Sequence, residues 1–141
     1  MLRILQLKNQ KKKTRNQMQL TKNFKLEEFD CKDGTPVPKQ YYGNVTKLAK
    51  NLQVLRDYLG VPVTVTGSGY RTPSHNKAVG GVPHSKHLTA EAGDINAKGY
   101  TPNQLAAVIE KLIKEGKMVQ GGLGIYPGFV HYDIRGTKAR W

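Results

Sequence analysis

The sequence predicts a single α+β domain, and three observations support this class. Two segments carry apolar residues at helical spacing, several shorter segments alternate apolar and polar residues as strands do, and 141 residues suffice for one hydrophobic core. We therefore expect an antiparallel sheet with helices packed against it and one long loop that carries function.

The two helices have clear sequence signals. The first has apolar residues three and four positions apart and a glycine stop; these are Val45, Leu48, Leu52, Leu55, Leu59 and then Gly60. The second begins with Thr101 as N-cap and Pro102 as its first residue, and Gly116 ends it.

Short strands are predicted on both sides of the second helix. Val61, Val63 and Val65 alternate with small or polar residues, and residues 92–96 form the next apolar segment. Residues 122–126 and 129–135 have strand character and flank a turn at Pro127-Gly128. Residues 67–93 are rich in glycine, proline, serine, asparagine and histidine, which predicts a long loop without regular structure and with a functional role.

Charge indicates an anionic partner. The chain has 23 Lys and Arg against 10 Asp and Glu, a formal net charge of +13. Nucleic acid, an acidic membrane surface and the bacterial cell wall all fit this charge. Every acidic residue follows position 26, so we predict a flexible basic arm over residues 1–22 and one domain over residues 23–141. The single cysteine, Cys31, excludes an internal disulfide, and we interpret it as a small buried apolar residue.

Long apolar segments are absent from the sequence. No apolar run approaches the roughly 20 residues of a transmembrane helix. The first residues also lack the about 7–15 apolar positions of a signal peptide, so we expect synthesis in the cytoplasm.

His87, Asp94 and His131 are the candidate metal ligands. Asp94 and His131 lie within apolar strand segments, where a carboxylate is costly to bury without a cationic partner. Two histidines and one aspartate can hold one Zn²⁺ and leave the fourth tetrahedral position for water, as in catalytic sites. The alternative is a hydrogen-bonded core histidine at 131, a turn carboxylate at 94 and a surface histidine at 87.

An ordered series of motifs surrounds these residues. It comprises Ser68-Gly69-Tyr70-Arg71, His75-Asn76, Gly80-Gly81, Ser85-Lys86-His87, Ala92-Gly93-Asp94-Ile95 and His131-Tyr132-Asp133-Ile134-Arg135. Together, over residues 23–141, they resemble the zinc D-alanyl-D-alanine peptidases, which share the fold of lysostaphin-type peptidases and the hedgehog signalling domain. The resemblance implies that His87 and Asp94 of an S-x-H-x-x-G-x-A-x-D block and His131 bind zinc. Ala90 replaces the glycine of that block.

The resemblance gives Arg71 a role in holding substrate or stabilising the transition state. A guanidinium can stabilise the negative charge that develops on a carbonyl oxygen, or bind a substrate carboxylate through two hydrogen bonds. A structural salt bridge within the loop is the third interpretation. Further substrate-binding or supporting positions are Ser68, Tyr70, His75, Asn76, His84 and Ser85.

The general base is where the sequence departs from the family pattern. Many relatives have an acidic residue three positions before the last ligand, and this chain has Gly128 there. Asp133, two residues after His131 on the same strand face, is the candidate base, and support of a ligand histidine is its alternative role. His84 and Glu91 are the next candidates.

The resemblance implies a Zn²⁺-dependent peptidase, with one ion, that cleaves bonds involving D-amino acids in peptidoglycan stem peptides. The substrate is either a D-Ala-D-Ala end, as for a carboxypeptidase, or a stem-peptide cross-link, as for an endopeptidase. We expect a monomer that acts at the bacterial wall after release from the cytoplasm, as phage lytic enzymes do, with the basic arm on the anionic wall. A non-catalytic wall-peptide binding module is the main alternative. Nucleic-acid binding is not expected, because the basic residues lie mainly in the arm without an aromatic stacking surface.

Overall fold

A computed structural model describes residues 18–141 and confirms the α+β class. Its helices are α1 (Tyr42–Leu59), α2 (Pro73–Ala78) and α3 (Pro102–Lys114), with 3₁₀ helices at Leu26–Phe29, Lys39–Tyr41 and Lys86–Thr89. Its strands are β1 (Val63–Val65), β2 (Ala92–Ala97), β3 (Gly122–Ile125), β4 (Val130–Asp133) and β5 (Ala139–Arg140).

Both predicted helices are confirmed, and their ends have clear causes. Helix α1 buries the apolar face predicted for it and ends at Gly60, which adopts a left-handed φ of 68°. Helix α3 begins with a capping box in which the Thr101 hydroxyl accepts from the backbone N–H of Gln104, and the Gln104 side chain accepts from Thr101 N–H. Both helices contribute to one hydrophobic core.

The sheet differs from the prediction in one respect. Its order is β1-β2-β4-β3-β5, and β5 pairs parallel with β3, so the sheet is mixed and not purely antiparallel. A two-residue strand lacks the length for an alternation signal, which explains why β5 was not predicted. The strand predicted from Val61 begins at Val63.

The two faces of the central strands have different tasks. Gly93 and Tyr132 are paired across β2 and β4, and their face packs against α1, where Leu48 and Leu52 lie next to Gly93. Asp94 and His131 are paired one position further along, so their side chains share the opposite face. The core thus lies on one side of the sheet and the polar cluster on the other.

Residues 67–93 are more regular than predicted. The segment contains α2, the 3₁₀ helix Lys86–Thr89 and the first residues of β2. The six-residue and four-residue helices are too short to produce a helical period in the sequence. Their caps are nevertheless regular, because the hydroxyls of Thr72 and Ser85 accept from the backbone N–H of His75 and His87.

The described part of the predicted basic arm contacts the domain. Leu26 N–H donates to Met18 O at 2.8 Å, and the Thr21 hydroxyl donates to Gln53 Oε1 of α1 at 2.8 Å. Residues 18–22 therefore pack with the body of the chain, and residues 1–17 of the arm lie outside the described residues. Within residues 18–141, no helix has both the length and the apolar character needed to cross a bilayer.

Candidate metal centre

Three buried side chains converge on the polar face of the sheet. Asp94 of β2 lies directly opposite His131 of β4, and its Oδ1 is 3.4 Å from His131 Nδ1. The same oxygen is 3.3 Å from His87 Nε2. Each of the three residues is at most 6% exposed. The structure therefore brings together the three predicted ligands.

His87 is placed by the loop rather than by the sheet. The 3₁₀ helix that carries it begins at Ser85 and ends at Ala90, which has a left-handed φ of 58°. A glycine adopts this conformation without a steric penalty, whereas a residue with a Cβ is strained by about 1–2 kcal/mol. This explains the glycine of the family block at a position where this chain has alanine.

Hydrogen bonds fix which nitrogen of each histidine faces the cluster. His87 Nδ1 lies 2.7 Å from Gly69 O, a pure acceptor, so Nδ1 donates to that carbonyl and Nε2 is the nitrogen that faces Asp94. His131 Nε2 lies 2.7 Å from Asp133 Oδ2, which leaves Nδ1 to face Asp94. Metal-binding histidines in proteins are oriented by such carbonyl and carboxylate partners.

The pKa values follow from this arrangement. Burial acts to raise the pKa of Asp94, but hydrogen bonds with His131 and His87 outweigh it and hold that pKa well below its usual range. Burial acts to lower the pKa of His131, but hydrogen bonds with Asp133 and Asp94 raise it above its usual value. The two carboxylates therefore attract positive charge to this point, and a divalent cation would replace the proton of His131.

Asp133, the predicted base, is fully enclosed by donors. Its Oδ1 accepts from Gly122 N–H, Arg135 N–H and Arg135 Nε, and its Oδ2 accepts from His131 Nε2 and Arg135 Nη2. The carboxylate is 0% exposed and does not line the cavity beside the ligands. Burial opposes its ionisation, but the bonds from His131 and Arg135 hold its pKa well below the usual range.

Arg71 lies at the edge of the cluster. Its Nε donates to the Ser68 hydroxyl at 2.8 Å, its Nη1 donates to Asn76 Oδ1 at 3.1 Å, and its Nη2 is 3.5 Å from Asp94 Oδ2. The backbone N–H of Arg71 also donates to His87 O at 2.9 Å. Two predicted supporting residues, Ser68 and Asn76, thus hold the guanidinium in place at the cavity wall.

The remaining predicted residues separate into two groups. His84 and Ser85 line the cavity, whereas Tyr70 and His75 do not. Tyr70 is 7% exposed and packs against Tyr41, with the ring centroids 6.1 Å apart. His75 lies near Cys31 and Asp33.

The cavity has a volume of about 720 Å³ and two apolar walls that sequence reasoning missed. Tyr126 stacks on Phe129 at 4.6 Å, and Trp141 donates from Nε1 to Tyr126 Oη and lies 4.8 Å from the His131 ring. Val79 and Val82, 51% and 66% exposed, belong to a turn that forms the other wall. The exposure of these apolar side chains is the signal of a binding surface, and only the structure provides it.

Glycines make room for this arrangement. Gly124 of β3 lies opposite His131 of β4, and a Cβ on Gly124 would lie 2.4 Å from Trp141 Nε1. A Cβ on Gly122 would lie 2.2 Å from Asp133 Oδ2. A Cβ on Gly81 would lie 2.0 Å from Asn76 Oδ1. The indole, the buried carboxylate and the amide that supports Arg71 each occupy space that a side chain would fill.

The donor set fits zinc. Two imidazole nitrogens and a carboxylate oxygen are typical Zn²⁺ ligands, and three such ligands are the usual number in catalytic sites. The distances from Asp94 Oδ1 to His87 Nε2 and His131 Nδ1, 3.3 and 3.4 Å, are those expected around one tetrahedral ion with bonds of about 2.0–2.2 Å. These features define the class of site as that of a mononuclear metallohydrolase.

Comparison with known protein families narrows this class to one family. The chain belongs to the family described as Peptidase M15, whose model matches residues 17–133. Members are zinc D-Ala-D-Ala peptidases, so the chain is a zinc metallopeptidase by family. Comparison with curated proteins and with solved structures finds no match for the chain.

Proposed function

We propose that the protein hydrolyses peptide bonds involving D-amino acids in peptidoglycan stem peptides, with one Zn²⁺ held by His87, Asp94 and His131. The single observation that carries this proposal is the convergence of three buried ligand atoms beside the Arg71 guanidinium in an open cavity. When bound, the ion supplies Lewis-acid polarisation of the carbonyl and a nucleophilic water at neutral pH.

The charge of the cavity favours an anionic peptide. Arg71, Lys86 and Arg135 line it, and among the described residues Asp94 is the only carboxylate that does. A stem peptide carries carboxylates and small alkyl side chains. The cationic groups can bind the former, and the two apolar walls can bind the latter.

Arg71 is placed to act on the substrate as well as on the loop. Its Nε donates to Ser68 and its Nη1 donates to Asn76. Its Nη2 has only the longer 3.5 Å contact with Asp94 Oδ2, so Nη2 can donate to substrate. We assign this nitrogen to the carbonyl oxygen of the bond that is cleaved, where a fixed donor stabilises developing negative charge.

Asp133 positions His131 in this proposal and does not transfer protons. All of its hydrogen bonds are with Gly122, His131 and Arg135, and its side chain does not reach the cavity. We assign proton transfer to His84, because it lines the cavity without belonging to the ligand set and histidine is the commonest acid–base catalyst.

A cleavage assay with two substrates tests the proposal. One substrate is a stem peptide that ends in D-Ala-D-Ala, and the other is a cross-linked dimer of stem peptides. Mass spectrometry of the products distinguishes release of the terminal residue from cleavage of the cross-link. We expect a chelator to abolish cleavage and Zn²⁺ to restore it. Cleavage that persists in chelator with no metal bound would refute the zinc mechanism.

His84→Gln and His87→Gln form a matched pair for the same assay. We expect His87→Gln to lose the zinc of this centre together with turnover, because it removes a ligand. His84→Gln should keep its zinc and lose about 10²- to 10⁴-fold in turnover, the range for a general acid or base. Normal turnover by His84→Gln would remove it from the mechanism.

A non-catalytic binding module on the same fold is the second candidate. The specific observation in its favour is the lack of a free carboxylate in the cavity among residues 18–141. Zinc-loaded protein that binds stem peptides tightly and cleaves none would support this candidate over the peptidase.

The basic arm has a separate proposed role at the wall. Residues 1–17 contain six Lys or Arg and no acidic residue. We propose that they attract the protein to the anionic wall after its release from the cytoplasm. Deletion of residues 1–17 should weaken binding to isolated walls at low salt, where screening is least, and leave cleavage of a soluble peptide unchanged.

A further inference from the structure

We propose a second metal site formed by Cys31, Asp33 and His75, separate from the His87, Asp94 and His131 centre. The thiol sulfur, a carboxylate oxygen and an imidazole nitrogen of these residues lie within 4.8 Å of one another. Thiolate, carboxylate and imidazole are all Zn²⁺ ligands, and a thiolate further favours a soft or borderline metal.

The donors lie on two segments that are distant in sequence but joined in the fold. Cys31 and Asp33 belong to a turn closed by hydrogen bonds from Cys31 N–H to Thr35 O and from Gly34 N–H to Cys31 O, both 2.9 Å. Gly34 has a φ of 96°, which suits glycine and lets the turn close. His75 lies on α2, and this segment is more than 35 residues away in sequence.

Thr72 connects the two segments. Its hydroxyl donates to Asp33 Oδ2 at 2.8 Å and accepts from the backbone N–H of His75 at 3.2 Å. Asp33 Oδ1 accepts from Thr35 N–H at 2.9 Å. The carboxylate and the helix that carries the imidazole are thus held beside each other before any metal binds, which lowers the cost of forming a site.

Hydrogen-bond donors surround the Asp33 carboxyl group. Its Oδ1 accepts from Thr35 N–H and its Oδ2 accepts from the Thr72 hydroxyl, as a carboxylate ligand does. Cys31 is 3% exposed and is the free cysteine of the chain. A metal ion bound by the Cys31 sulfur and the Asp33 carboxylate would supply the positive charge that a thiolate ligand needs at a buried position.

Small side-chain movements complete the geometry. Tetrahedral zinc with these ligands needs donor atoms roughly 3.3–3.6 Å apart, closer than the outer limit of 4.8 Å. His75 is partly exposed, so its imidazole can rotate towards the buried sulfur while Thr35 and Thr72 keep the Asp33 carboxylate in place.

This site would brace the loop that carries Arg71. Its metal would join the turn at 31–35 to α2, and Asn76 of α2 accepts a hydrogen bond from Arg71. It requires no peptidase activity, and its failure can be recognised independently of the proposed function.

Metal stoichiometry and cobalt spectroscopy of the full chain test the proposal. We expect two Zn²⁺ per wild-type chain and one in each of Cys31→Ser and His75→Gln, with His84→Gln as a histidine control that keeps two. Cobalt-loaded wild type should show a thiolate-to-cobalt charge-transfer band in the near ultraviolet. The band cannot come from the His87, Asp94 and His131 centre, which has no sulfur.

His87→Gln separates the two sites. It should lose peptidase activity and one zinc but keep the charge-transfer band, whereas Cys31→Ser should lose the band. One Zn²⁺ per wild-type chain, no charge-transfer band, and the same zinc content in His75→Gln would overturn the proposal and leave a thiol that only donates a hydrogen bond to Asp33. Because His75 is partly exposed, that variant remains informative even if Cys31→Ser misfolds.

Discussion

Asp94 and His131 lie on paired strands, whereas His87 and Arg71 lie on the loop between β1 and β2. We call Asp94, His131 and Asp133 the strand half of the site. We call His87 and Arg71 the loop half. Strand pairing sets the register of Asp94 and His131 directly, and Asp133 locks the ring of His131. The loop half depends instead on hydrogen bonds to Gly69, Ser68 and Asn76.

The difference indicates that the two halves of the site have different tasks. Asp133 has no exposed surface and five donors around it, so the strand half is built to hold a metal in one geometry. In the proposed function the loop half contributes one metal ligand, His87, and one group that meets the substrate, Arg71, which lines the cavity and has one longer contact. Variants in the two halves should therefore fail in different ways.

His131→Ala tests the strand half and should have the largest effect. It removes a ligand, and metal catalysis contributes several kcal/mol, so we expect roughly a thousandfold or greater loss of turnover. Metal analysis by mass spectrometry should show loss of zinc from this centre alongside the loss of stem-peptide cleavage. Retained zinc at this centre with retained cleavage would exclude His131 as a ligand.

Arg71→Lys tests the loop half. Lysine keeps the charge but cannot donate to Ser68, Asn76 and substrate at once, so turnover should fall about 10²- to 10³-fold while zinc affinity stays near that of the wild type. Steady-state kinetics together with a competitive zinc chelator measure the two quantities. A parallel loss of zinc would mean that Arg71 also supports metal binding, through its contacts with Asp94 and with the segment that carries His87.

Asp133→Asn sharpens the comparison within the strand half. The amide keeps the shape, but an NH2 group in place of Oδ2 can no longer accept from His131 Nε2 and Arg135 Nη2, so the histidine is held less firmly. We expect about 10- to 100-fold weaker zinc affinity, with turnover recovered at saturating Zn²⁺. Turnover that stays 10²-fold or more below wild type when zinc is saturating would instead support Asp133 as the base.

Trp141→Ala should have the smallest effect. The indole lies 4.8 Å from His131 and forms part of the apolar wall, and such aromatic contacts contribute about 0.5–1.5 kcal/mol. We expect KM to rise roughly twofold to tenfold with little change in kcat or zinc content. Trp141→Phe is the matched control, which keeps an aromatic face but loses the hydrogen bond to Tyr126.

The elements with strong periodicity were predictable from the sequence. Helices α1 and α3 and strands β2 and β4 follow their apolar patterns, and Asp94 and His131 were candidates because they are polar groups inside two of these strand patterns. His87 lies in the loop, and the family resemblance assigned it. Short elements were not predictable, because α2 and β5 contain too few residues for a period.

The hydrogen-bond and packing contacts of each ligand could not be predicted from the sequence, for a different reason. That His87 Nδ1 meets Gly69 O depends on the path of the loop, and that Trp141 covers His131 depends on the parallel pairing of β5 with β3. The position of Asp133 on the same face as His131 was predictable. Its enclosure by Gly122 and Arg135 arises from β3 and from the chain after β4.

The turn that carries Val79 and Val82 is tied to the fold by its backbone alone. Gly81 N–H donates to Asn76 O at 2.8 Å, and Asn76 Nδ2 donates to Val82 O at 2.9 Å, so neither valine side chain is needed to hold the turn. Evolution, or a protein engineer, can therefore exchange these two side chains and reshape one wall of the cavity without moving a metal ligand. If the proposed function holds, the choice of peptide and the chemistry of cleavage are separately adjustable.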